Sequence, residues 1–150
     1  MQYEEFRNQL TLDPKGRLTL PVQLREELAR ESVDRLVGIA AQGSLWLFTP
    51  EDYRTIIKGR VKGMDPFSPK TALYLRAVVS TNQTLPIDGA GRILVPAHLR
   101  ELAGLERDVV IFSSLDWIEV WDRSRWEAQF SRALQSWDGL LDNDGSGDVG

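Results

Sequence analysis

Apolar and polar residues alternate along Leu10-Thr-Leu12 and again along Leu18-Thr-Leu20, the period-two pattern of half-buried strands. Between them stands Asp13-Pro14-Lys15-Gly16, which is turn chemistry. Aspartate bonds the backbone ahead, proline presets φ, and glycine admits φ > 0. Pro21 then opens a short helix running toward Arg30, because proline suits a first helical turn. Arg35-Leu-Val-Gly-Ile-Ala and Leu45-Trp-Leu-Phe follow as two strands. Thr49-Pro50-Glu51 starts a helix with Thr49 as N-cap, and Ser68-Pro69 starts another carrying Ala72, Leu73, Leu75, Ala77 and Val78. The last helix, capped by Asp122 or Ser124, places Trp126, Phe130, Ala133, Leu134 and Trp137 at i, i+4, i+7, i+8 and i+11. That stripe reads as core or as a contact between subunits.

The pattern occurs twice. Residues 12–28, LDPKGRLTLPVQLREEL, match residues 87–103, IDGAGRILVPAHLRELA, at seven of 17 positions with an offset of 75. The identities are Asp13/Asp88, Gly16/Gly91, Arg17/Arg92, Pro21/Pro96, Leu24/Leu99, Arg25/Arg100 and Glu26/Glu101. Chance would supply about one. The likeness continues at an offset of 73, from Arg35-Leu-Val-Gly-Ile-Ala to Asp108-Val-Val-Ile-Phe-Ser and from Leu45-Trp-Leu-Phe to Ile118-Glu-Val-Trp. The second short helix opens at Pro96 and should stop at Gly104 in a left-handed conformation. Each half therefore reads as strand, glycine turn, strand, short helix, two strands and a longer helix. The glycine-rich run Lys58-Gly-Arg-Val-Lys-Gly reads as the linker between them. Half a chain of this size is marginal as an independent fold, so the two copies should pack on one another as a pseudo-symmetric pair.

Charge first argues against a polyanionic partner and then does not. The 150 residues carry 18 Lys+Arg and 22 Asp+Glu, a net charge of −4. Residues 138–150 alone hold four aspartates and no basic residue, so residues 1–137 are neutral in sum. Residues 7–25 sum to +3 and residues 58–76 to +4, so one face can still attract an anion. The aspartates of the tail partly match a calcium-loop pattern, but the twelfth position is missing, and composition favours a solvating, disordered terminus. With no cysteine and a single histidine, His98, disulfide, thiolate and zinc-cluster chemistry are excluded. No apolar run is long enough to span a bilayer, and the acidic start argues against a signal peptide.

Asp13 and Asp88 are the candidate acids, yet one carboxylate per copy without a histidine or second acid is a poor catalytic or metal-binding set. His98 aligns with Gln23 and reads as a surface residue. An arginine directly after a tight turn, presented twice, suits anions better, because guanidinium offers a planar fork to phosphates and base edges. Matched positions for Arg17 and Arg92 on one surface would suit a DNA duplex met by a two-stranded β element. The plainer role, an arginine that pairs with its own aspartate and fixes the turn, is equally compatible, and the two can coexist. Arg25 and Arg100 read as solvated helix-face charge or as partners of Glu26 and Glu101.

Phe6-Arg7, Leu12-Asp-Pro-Lys-Gly-Arg-Leu-Thr-Leu-Pro21, Ile87-Asp-Gly-Ala-Gly-Arg-Ile-Leu-Val-Pro96 and Leu99-Arg-Glu together resemble the MraZ family, over residues 6 to about 137. The resemblance implies an α+β fold, a double AbrB-like swapped-hairpin β-barrel of two pseudo-symmetric repeats with peripheral helices. On that plan residues 6–63 hold the first repeat and its helix, 64–80 a central linker helix, 81–137 the second repeat and its C-terminal helix, and 138–150 the tail. It also implies a bacterial transcriptional regulator of the division and cell-wall gene cluster, binding tandem promoter repeats in double-stranded DNA as a homo-oligomeric ring. Lys15, Arg17 and Arg92 would contact DNA, and Asp13, Gly16, Asp88 and Gly91 would support the turns. No catalytic residue, metal, cofactor, membrane or small-molecule substrate is expected, and the setting would be cytoplasmic, at the nucleoid. An antitoxin-like interaction module on the same fold is the alternative.

Overall fold

The computed structural model of the chain describes Tyr3, residues 6–137 and Gly139. The fold is α+β. Strands β1 (Arg7–Thr11) and β2 (Arg17–Thr19) lead into α1 (Val22–Arg30), then β3 (Arg35–Ala41) and β4 (Ser44–Phe48). A helical run follows, comprising α2 (Pro50–Asp52), a π-helical stretch (Tyr53–Lys58) and α3 (Gly59–Lys62). Helix α4 (Pro69–Val78) leads into β5 (Gln83–Pro86), β6 (Arg92–Leu94), α5 (Ala97–Ala103), β7 (Asp108–Ser114), β8 (Trp117–Asp122) and α6 (Arg123–Gln135).

The caps act where the sequence places them. The Thr49 hydroxyl accepts a hydrogen bond from the Asp52 amide at 3.1 Å, and the Ser68 hydroxyl from the Lys70 amide at 3.2 Å. Gly104 ends α5 at φ 70°. Asp122 stands at the N-cap position of α6, but its carboxylate serves other donors, the Glu106 amide and the Ser124 hydroxyl. The run Lys58–Gly63 is not an open linker. It continues the helix, with Gly59 at an ordinary helical φ of −60°. Tyr53, Ile56 and Ile57 anchor that helix on the sheet, which outweighs the ~1 kcal/mol that a glycine costs a helix interior.

All ladders are antiparallel. One six-stranded sheet has the order β1-β7-β8-β4-β3-β5, and β2 and β6 form a separate two-stranded ribbon. The strand that opens each half is exchanged. β1 pairs with β7, with Leu10 opposite Val109, and β5 pairs with β3, with Leu85 opposite Leu36. These registers are equivalent under the offsets of 75 and 73. The same operation fixes a pseudo-two-fold axis, since Leu18 faces its own counterpart Ile93 in the ribbon and Trp46 faces Glu119 in the sheet. The sheet is open: no ladder among the described residues joins β1 to β5.

The core follows from that symmetry. Leu18/Ile93, Leu20/Val95, Leu24/Leu99, Leu36/Val109, Leu45/Ile118 and Leu47/Val120 are all buried in one cluster fed by both halves. A smaller cluster of Ile39, Phe48, Ile57 and Val78 lies on the other face of the sheet, under the π-helical stretch and α4. Alternation along β3 and β4 divides the two, with Leu45 and Leu47 on one face and Trp46 and Phe48 on the other.

Candidate nucleic-acid interface

The two glycine turns are built alike. In the first, Asp13 Oδ1 accepts hydrogen bonds from the Lys15 amide at 2.9 Å and the Arg17 amide at 2.8 Å, while the Gly16 amide donates to the Asp13 carbonyl at 2.9 Å. In the second, Asp88 Oδ1 accepts from the Ala90 and Arg92 amides at 2.9 Å each, and the Gly91 amide donates to the Asp88 carbonyl at 3.0 Å. The remaining carboxylate oxygen of each aspartate takes Nε of the motif arginine, Arg17 at 2.5 Å and Arg92 at 2.9 Å. Each aspartate thus bonds the amides of its turn through one oxygen and the guanidinium through the other, so turn-fixing and orientation of the arginine rest on the same carboxylate.

The glycines are required twice over. Gly16 has φ +88° and Gly91 φ +76°, a left-handed region that other residues enter at a cost. A Cβ on Gly16 would also stand 2.8 Å from Cζ of Arg100, and one on Gly91 would overlap Cδ of Arg25. Each short helix therefore lays its arginine over the turn of the other copy. This corrects the sequence reading of Arg25 and Arg100 as solvated charge or as partners of Glu26 and Glu101. Both are half-buried, and Arg25 Nε donates to the Leu20 carbonyl at 3.0 Å. Their identity in both copies, eight residues after the motif arginine, was the signal available in the sequence.

The ribbon joins the turns. Besides the β2·β6 ladder, the Leu20 amide donates to the Gly91 carbonyl and the Val95 amide to the Gly16 carbonyl, both at 2.9 Å. Leu18 and Ile93 point into the core, so alternation turns Arg17, Thr19, Arg92 and Leu94 to the outer face. Arg17 stands opposite Leu94 and Arg92 opposite Thr19, which makes the arginines diagonal neighbours with Cα atoms roughly 7–8 Å apart. Their side chains are 34% and 35% exposed. Lys15 is exposed beside Arg17, and the equivalent exposed position on the second turn is Ala90.

The backbone amides of Arg17 and Arg92, foremost, and then the guanidinium groups hold the Asp13 and Asp88 carboxyls below their ordinary values, against an opposing effect of desolvation. A carboxylate whose folded value is depressed contributes stability above its unfolded value and loses it as pH falls through the folded one. Acidification below about pH 4 should therefore release both turns. NMR should show the Lys15, Arg17, Ala90 and Arg92 amides shifting together with an apparent pKa below that of a free aspartate. Titration at the free value would show that the turn bonds do not hold these carboxylates.

Other candidates sit apart from this face. His98 is exposed. Among the described residues no group of three or more His, Cys, Asp or Glu could hold a metal ion, and no helix is long and apolar enough to cross a membrane. The stripe on α6 is not core within the chain. Trp126 packs on Phe112 at 4.8 Å between centroids, but Phe130, Leu134 and Trp137 are 49%, 60% and 57% exposed. The tail beyond, residues 140–150, lies outside the described residues.

Comparison with known proteins points the same way. The family described as "MraZ protein, putative antitoxin-like" matches residues 7–75 and 79–138. A protein named transcriptional regulator MraZ from Heliobacterium modesticaldum is 37% identical over 131 residues, covering 87% of this chain and 88% of that one. The protein of the same name from Nitrosospira multiformis is 34% identical, covering 87% and 89%, and that from Nitrosomonas eutropha 32%, covering 87% and 88%.

Proposed function

The chain belongs to the MraZ family, and from that premise we propose that it is a DNA-binding transcriptional regulator, not an enzyme, that grips duplex DNA with the β2·β6 ribbon. The observation that carries the reading is the outward face of the ribbon. It sets Arg17 and Arg92 about a pseudo-two-fold axis, each held by its own aspartate. A two-stranded ribbon fits a major groove, and a dyad in the protein suits the dyad of duplex DNA. Lys15, Arg17 and Arg92 make the contacts in this reading, while Asp13, Gly16, Asp88 and Gly91 hold the turns. Phosphate contacts position the ribbon and base-edge contacts supply the sequence preference.

The finer expectations stand on different supports. The exchange of β1 and β5 between halves supports two swapped-hairpin repeats, within residues 6–63 and 81–137, joined through residues 64–80. The exposed α6 stripe supports a homo-oligomer, a ring on the family pattern, in which Phe130, Leu134 and Trp137 meet another copy. Tandem repeats in the promoter of the division and cell-wall gene cluster are the target, and the nucleoid is the setting. Many weak contacts multiplied across subunits would give the affinity.

A mobility shift with the DNA upstream of the protein's own gene, at two salt concentrations, tests the reading. The expected result is a shift that persists at the higher salt and exceeds that of random duplex. Equal binding to random duplex, at low salt only, would count against a specific regulator. The antitoxin-like alternative carries its own signature, a small partner protein that co-purifies with the chain.

A further inference from the structure

The smaller apolar cluster encloses a cavity of about 390 Å³ between the sheet and the helices above it. Its floor is aromatic, with Trp46 and Trp117 stacked at 4.9 Å between centroids and 19° between planes. Both indole N–H groups are engaged within the sheet, Trp46 Nε1 on Ser44 Oγ at 3.0 Å and Trp117 Nε1 on Glu119 Oε2 at 2.9 Å. Neither indole N–H is therefore left to bond an occupant. Ile56 of the π-helical stretch and Ala77 of α4 form the opposite wall. π-helical turns recur beside functional sites, and the small Ala77 leaves room that a larger side chain would fill.

The polar groups around this space are few and one-sided. Gln42, Arg60 and Tyr74 line it, with no acidic residue lining it among the described residues. Arg60 is exposed, its Cζ lies 6.0 Å from the Tyr74 ring centroid, and it has no acidic partner among the described residues. The segment that carries it, residues 58–76, sums to +4. A volume of a few hundred Å³, mostly apolar walls and a small number of placed polar groups are the marks of a small-molecule site.

We propose that this cavity binds a small anionic ligand with a flat apolar body, of the aromatic carboxylate class. The ring lies against Trp46 and Trp117, and the carboxylate meets the Arg60 guanidinium, which is free to form a bidentate pair. The site is remote in kind from the arginine ribbon and does not depend on DNA binding.

Calorimetry of the full chain with 1-naphthoate, and with neutral 1-naphthylmethanol of the same ring, tests it. The expected result is one saturable site per chain, with quenching of tryptophan emission. Arg60→Glu should weaken naphthoate about tenfold or more and leave naphthylmethanol unchanged. Ala77→Trp should abolish both while far-UV ellipticity is retained. Should Ala77→Trp fail to fold, the exposed Arg60→Glu decides alone. Absence of saturable binding up to millimolar ligand, or equal naphthoate affinity in Arg60→Glu, overturns the proposal. So does binding that occurs only on dilution to single chains, which would assign the cavity to a contact between copies.

Discussion

Replacing Arg17 and Arg92 together with alanine is expected to weaken operator binding a hundredfold or more. A hydrogen bond to a charged group contributes about 1.5–3 kcal/mol, and each arginine would lose at least one, with every 1.4 kcal/mol amounting to tenfold. The slope of log K against log salt should become shallower by roughly 0.9 for each phosphate that the variant no longer neutralises. The fold should survive, because both side chains lie on the outer face of the ribbon and leave Leu18 and Ile93 in place. Single variants are informative beyond this. Lys15 accompanies Arg17, whereas Ala90 accompanies Arg92, so the first turn has a second cation to fall back on. Arg92→Ala should then cost its half more than Arg17→Ala costs the other. A titration by fluorescence anisotropy that returns the parental curve for the double variant would remove these residues from the interface.

Leu18→Ala and Ile93→Ala should each destabilise the protein by about 2–5 kcal/mol, the range for fully buried aliphatic side chains truncated in a core. Both residues are wholly buried, and they face each other on the pseudo-two-fold axis. Because they touch, the double variant should lose less than the sum of the singles. The shared core carries a further expectation, a single cooperative urea transition for both halves, shifted as one by either substitution. Two separate transitions, with Leu18→Ala moving only one of them, would show that the halves fold independently.

The parts that were legible in the sequence are those set by local chemistry. The Asp-x-x-Gly-Arg turns could be read because aspartate, glycine and arginine each have a specific task within five residues, and both copies repeat it. The helix starts at Thr49 and Ser68 and the stop at Gly104 could be read because capping is local. The periodicity of β3 and β7 shows which residues are buried but says nothing of which strand lies alongside. The exchange of β1 and β5 is therefore invisible to periodicity, and only the family resemblance points toward swapped hairpins; Arg7, Asn8, Gln9 and Thr11 are all exposed and give β1 almost no apolar signature. Arg25 and Arg100 were misjudged for a related reason. A charge on a helix looks solvated until a tertiary neighbour, here the bare turn glycine of the other copy, receives its stem. The α6 stripe shows the converse limit, since its period reports an apolar face without saying which molecule covers it.

The exchanged strands also set the order in which a newly made chain can acquire its structure. β1 is made about a hundred residues ahead of its partner β7. At a synthesis rate of roughly 5–20 residues per second, β1 waits for about 5–20 s without the strand it must pair with. In the meantime β3 waits for β5 and Leu18 for Ile93, both made shortly before β7, while β4 waits for β8, which is made after β7. The N-terminal half therefore leaves the ribosome as a set of open strand edges over an unfinished core. Two neighbouring nascent chains on one message could complete each other's sheets before either completes its own, so translation rate and the spacing of ribosomes should influence the yield of correctly closed protein.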